Sequence, residues 1–215
     1  MRRLIEEAQP REAEREIYML AYLVRVRALL RSIGALCAAN VHDATGTLYR
    51  TLFETWLHGA YLALGDESAL QDLLKQRDYE WTRLDNVFGK KEAPSPGERL
   101  SVQDLATRLG NRIGELDPEH GGWPSTAYDN HYRITSFHDA HGHLGCVGLY
   151  VDSSGYVGFE RDLNAAHHLF AMAISLGISL TSAVASAMDM DQDELAVIHE
   201  AALPVYASLP DSPQS

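Results

Sequence analysis

The sequence predicts an all-α protein, a bundle of five to seven helices. Three observations carry this. Apolar residues recur every three or four positions over long stretches. Those stretches hold almost no proline. Helix-boundary signals fall between them, chiefly Gly65 and the Ser101–Asp104 pair. With 215 residues, 46% of them hydrophobic, the chain is long enough to bury a substantial core. One domain over 1–203 and a loosely ordered, proline-bearing tail over 204–215 are expected.

The first helix is expected within 11–40. Arg25, Arg27 and Arg31 interrupt its apolar run, which suits a solvated face and not a membrane span. Asp43 is placed to N-cap a second helix, from about Ala44 to Leu64, with Gly65 as its stop. A polar-faced third helix follows over 67–88. The run Gly89–Gly97, rich in Gly, Pro and charge, is a loop. Ser101 and Asp104 resemble a capping box that opens a short helix through about Ile113. Residues 114–127 read as irregular, and a motif helix is expected from about Thr126 to Ala140. A small β-hairpin is expected around 146–159, where two β-prone runs flank Asp152-Ser-Ser-Gly155.

Helix resumes near Glu160. Residues 169–188 carry no charge for 20 positions, so length alone would permit a membrane span. Ala, Ser and Gly dominate the stretch and the residues after it are acidic, which favours a central helix packed closely by its neighbours. A short last helix is expected over 189–202.

Charge is unevenly placed within a net of −12. Residues 1–133 hold 17 of the 18 Lys/Arg against 20 Asp/Glu, whereas 134–215 hold Arg161 against ten acidic residues. A polyanion would be repelled by the C-terminal third, so binding along long DNA is disfavoured. Two cysteines do not make a disulfide framework, and the first residues lack a signal-peptide run. A cytoplasmic setting is the expectation. Phosphate-cradling glycine motifs, nucleophile elbows, paired cysteines and His-Glu-x2-His are all missing.

Two stretches could carry chemistry. On the second helix, Arg50, Glu54 and His58 follow at spacings of four and share one face. Either this is a surface ion-pair stripe, or Arg50 and Glu54 lie in a polar layer between helices in which each charge needs a partner. The stretch Tyr128–His143 concentrates four of the ten histidines, together with Tyr132, Arg133 and Ser136. Within it, Arg133-Ile-Thr-Ser-Phe-His138 is an Arg-x4-His arrangement.

A small all-helical chain with Arg-x4-His near a late helix resembles the HEPN superfamily, many of whose members are metal-independent ribonucleases of toxin–antitoxin and phage-defence systems. The Arg-x3-Glu helix, followed by Tyr-Arg-x2-Ser and a nearby histidine, is similar to an uncharacterised bacterial group of helical domains associated with that superfamily. The resemblance spans about residues 15–190 and rests on these two short motifs. It implies a homodimer whose two motif copies form one cleft, an RNA substrate, a possible antitoxin or other protein partner, and no cofactor. On this resemblance Arg133 holds the scissile phosphate. His138 is the acid or base at the ribose 2′-OH or the leaving oxygen. His141, Tyr132 and Ser136 assist, and Arg50 with Glu54 supports the motif helix. Ile134 departs from the pattern, since a polar residue commonly follows the arginine.

Two other readings stay open. His138, His141 and His143 are close enough in sequence to converge on a metal. Alternatively the fold is a non-catalytic interaction or regulatory module, as some members of that superfamily are.

Overall fold

The computed structural model describes residues 14–39, 41, 44–87, 100–133, 163–190 and 200. Among these residues the chain is all-α, with six α-helices, one π-helical turn and no strand. The expected hairpin around 146–159 and the tail over 204–215 lie outside the described residues.

Helix α1 (Glu14–Ala38) buries Met19, Leu23, Val26, Leu29, Ile33 and Cys37 along one stripe. Arg25 and Arg31 are exposed and Arg27 is half-buried, so the basic residues do lie off the core face. Helix α2 (Thr45–Leu64) is central and is buried on most of its circumference, with Tyr49, Leu52, Phe53, Trp56, Leu57 and Leu62 almost wholly enclosed. Its N-cap is Ala44, without a side-chain hydrogen bond, instead of the expected Asp43, which lies outside the described residues.

The end of α2 falls where the sequence places it. Gly65 follows the helix as anticipated, but its φ of −68° is open to any residue. Glycine is required there for space, because a Cβ would collide with the Tyr61 carbonyl oxygen and the Ala69 side chain. The last carbonyls of α2 are satisfied from other helices. Arg15 of α1 donates through Nε and Nη2 to Leu62 O at 2.9 and 2.6 Å, and through Nη2 to Gly65 O at 2.8 Å. Arg112 Nε donates to Leu64 O at 2.8 Å. Two guanidinium groups thus complement both the orphan carbonyls and the negative end of the helix dipole.

Helix α3 (Ser68–Val87) starts after Asp66, whose carboxylate accepts from the Ser68 N–H and hydroxyl at 2.8 and 2.6 Å. Helix α4 (Val102–Leu116) opens on the expected capping box and runs a turn beyond the anticipated end. Residues 114–127 are more regular than expected. Helix α5 (Trp123–Ala127) forms there, with Pro124 in its first turn, where a fixed φ and a missing N–H carry no penalty. A π-helical turn, Tyr128–Tyr132, continues from it directly.

Helix α6 (Leu163–Ala187) packs along α1 and α2. Small residues allow the close approach: a Cβ on Gly177 would meet Leu30, and one on Gly59 would meet Leu180 and Tyr22. Trp56 Nε1 of α2 also donates to Ser179 Oγ of α6 at 3.3 Å. The stretch His168–Ala187 is long and apolar enough to cross a membrane, and here about half of its most apolar window is buried against the bundle. Asp189, with φ of 52°, ends α6 in the left-handed region that aspartate tolerates. Most of the expected last helix over 189–202 lies outside the described residues.

Candidate functional site

The motif segment is held on α2 by aromatic side chains. Trp123 meets Trp56 edge-on, with ring centroids 5.0 Å apart, at the start of α5. Nine residues on, Tyr132 lies against Phe53 at 5.5 Å and stacks on Tyr128 at 5.2 Å. Tyr132 is buried, with 8% exposure. The π-helical turn between these anchors carries one residue more per turn than an α-helix, a feature that recurs at functional sites.

At the Tyr132 hydroxyl, three of the sequence-predicted residues come together. The hydroxyl donates to Glu54 Oε1 at 2.6 Å and accepts from Arg50 Nη2 at 3.0 Å. Arg50 Nε lies 3.4 Å from Glu54 Oε1, an ion pair without hydrogen-bond alignment. The guanidinium carbon stands 5.1 Å from the Tyr132 ring centre, within cation–π range. The i,i+4 stripe is therefore a polar layer between α2 and the motif segment, with Arg50 and Glu54 side chains 30% and 36% exposed.

Electrostatics reinforces this geometry. Burial and then the hydrogen bond to Glu54 push the Tyr132 phenol above its ordinary range, so it stays a donor at neutral pH. Burial works against the charge on Arg50, but its contacts with Tyr132 and Glu54 outweigh that and strengthen its hold on a proton.

His58 does not join the layer. Its Nδ1 lies 2.7 Å from the Glu54 carbonyl oxygen, and its ring stacks on Tyr22 with centroids 6.3 Å apart. Arg133 stands apart too. Its Nη1 pairs with Asp129 Oδ1 at 3.2 Å, and the two side chains are 67% and 57% exposed. His138, Ser136, His141 and His143 lie outside the described residues, so the Arg-x4-His pair is seen from its arginine alone. Among the described residues no group of three His, Cys, Asp or Glu side chains could hold a metal ion.

Sequence reasoning named Arg50, Glu54 and Tyr132 but missed Asp129, Tyr128 and Phe53. The four-residue spacing of Asp129 from Arg133 was a usable signal. Phe53 looked like any other core residue.

Compared with models of known families, with curated proteins and with solved structures, the chain finds no match. The helical fold class agrees with the HEPN resemblance, and membership of that superfamily is a matter for proposal.

Proposed function

We propose that the chain is a HEPN-like, metal-independent endoribonuclease, acting as a homodimer in a toxin or phage-defence role. The observation that carries this reading is the Tyr132 hydroxyl held between Glu54 and Arg50. It fixes the residue next to Arg133 on the central helix, as an arginine required at a set position would need. The one partner of Arg133 among the described residues is an exposed carboxylate. An exposed pair of this kind is weak, so a phosphate can displace Asp129.

On this reading Arg133 grips the scissile phosphate and stabilises its developing charge. His138 takes the proton of the ribose 2′-OH as that oxygen attacks phosphorus, or returns one to the departing 5′-oxygen. The products are a 2′,3′-cyclic phosphate and a 5′-hydroxyl. Ser136 and His141 assist, and the acidic C-terminal third restricts RNA to the face formed by the first part of the chain or by a second subunit.

A specific observation favours a second reading. Both charged side chains of the layer have internal partners, Arg50 in Tyr132 and Glu54, and outside the layer Arg133 has Asp129. A closed set of this kind also suits a non-catalytic interaction module. Mixed RNA incubated with the purified protein in EDTA separates the two. Cleavage that falls at least a hundredfold in Arg133→Ala and His138→Ala is the expected result, in line with about 10²–10⁴-fold from a general acid or base. Cleavage untouched by either substitution rejects the site, and a wild-type protein that leaves RNA intact favours the interaction module.

A further inference from the structure

A cavity of about 130 Å³ lies between α1, α2 and α3, away from the motif segment. Its walls are Leu62 of α2, Leu70 and Leu73 of α3, and the rings of Tyr18 and Tyr22 of α1. It is partly open to solvent. Hydrogen bonds fix α3 against its neighbours on two sides of it. On one side Asp72 accepts from Tyr61 at 2.9 Å and from Arg108 of α4 at 2.7 Å. On the other, Arg77 Nη1 donates to the Tyr18 hydroxyl at 3.0 Å. Between these hydrogen bonds Leu70, Leu73, Tyr18 and Tyr22 remain only half-buried. The cavity is therefore preformed, with apolar surface still in contact with water.

Its charge has one sign. Among the described residues Arg77 is the one ionic residue in the lining, and none of them brings a carboxylate to it. The Arg77 Nε and Nη2 groups rest on Asp78 Oδ1 at 3.0 and 2.9 Å, but that carboxylate is 67% exposed and lies outside the lining. A pair this open to solvent is held weakly, so a second carboxylate can take its place on the guanidinium. From this geometry we propose that the cavity is a binding site for a small apolar monocarboxylate. The hydrocarbon part lies among the leucines and the carboxylate on Arg77 beside the Tyr18 hydroxyl. The volume suits a single aromatic ring or a short aliphatic chain, as a leucine-lined cavity of about 150 Å³ accepts benzene. This site is independent of the ribonuclease reading.

Benzoate titrated into the full-length protein, followed by leucine methyl NMR, tests the assignment, with benzyl alcohol as the neutral comparator. Saturable shifts at Leu62, Leu70 and Leu73 are expected. Arg77→Gln should weaken benzoate by about threefold to fivefold, the scale of a partly exposed ion pair, while benzyl alcohol changes little. Leu73→Trp, which fills the cavity, should abolish both. Benzoate that leaves these three leucines unshifted overturns the site. Equal weakening of both ligands by Arg77→Gln, or of neither, overturns the carboxylate assignment. If Leu73→Trp does not fold, the wild-type leucine shifts and the Arg77→Gln contrast decide the matter.

Discussion

Tyr132 is the residue on which the candidate site depends, because a single hydroxyl serves both charges of the polar layer. Its donor proton goes to Glu54 and its lone pair to Arg50. Tyr132→Phe keeps the ring against Phe53, Tyr128 and the Arg50 guanidinium but removes both hydrogen bonds of the hydroxyl to Glu54 and Arg50. A loss of about 1 kcal/mol is expected in urea unfolding, the net worth of a typical hydrogen bond, since water reaches both partially exposed side chains. An unchanged midpoint would mean that the layer is held by ring packing alone. Arg50 and Glu54 were legible as a pair because i,i+4 spacing on a helix dictates a shared face. Their attachment to Tyr132 was not, since nothing local to either segment specifies a contact between residues 78 positions apart.

At the level of elements, the capping box of α4 is the feature most fully written in the sequence. Ser101 Oγ accepts from the Asp104 N–H at 3.1 Å, and Asp104 Oδ2 accepts from the Ser101 N–H at 3.0 Å and from its hydroxyl at 2.6 Å. Ser101→Ala should destabilise the protein by about 1 kcal/mol, measured by urea unfolding at neutral pH. The Ser101 hydroxyl, then its backbone N–H, holds the Asp104 carboxyl below the usual range. A depressed folded pKa contributes stability above the unfolded value, near ~4, and that contribution fades as pH falls through the folded value. The difference between wild type and Asp104→Asn should therefore shrink below about pH 4 and be constant from pH 5 to 7. A difference that grew on acidification would contradict the cap. The end of α2 shows the opposite case. Its carbonyls are closed by Arg15 and Arg112, 47 and 48 positions away, which no local pattern announces.

On the scale of the whole molecule, three helices converge at Gly59. A Cβ there would stand 2.9 Å from Leu180 Cδ1 of α6 and 3.0 Å from Tyr22 Cβ of α1. Gly59→Val would push α1 and α6 away from α2 together, and a loss of about 1–3 kcal/mol is expected from overpacking. A variant as stable as wild type would show that the three-helix junction has slack. The same junction explains the uncharged stretch of α6, whose small side chains let two other helices approach.

The sequence by itself determined the helical class, the places of the first four helices, the cap of α4 and the shared face of Arg50 and Glu54. Each follows from periodicity, spacing or a cap, which are local and therefore visible along the chain. Only the tertiary structure decided that Glu54 meets Tyr132 and that the His58 ring stacks on Tyr22. It also decided that Gly65 is required for space and that Arg77 closes one side of a cavity. Those outcomes depend on which helix lies beside which, and burial across three dimensions sets that arrangement.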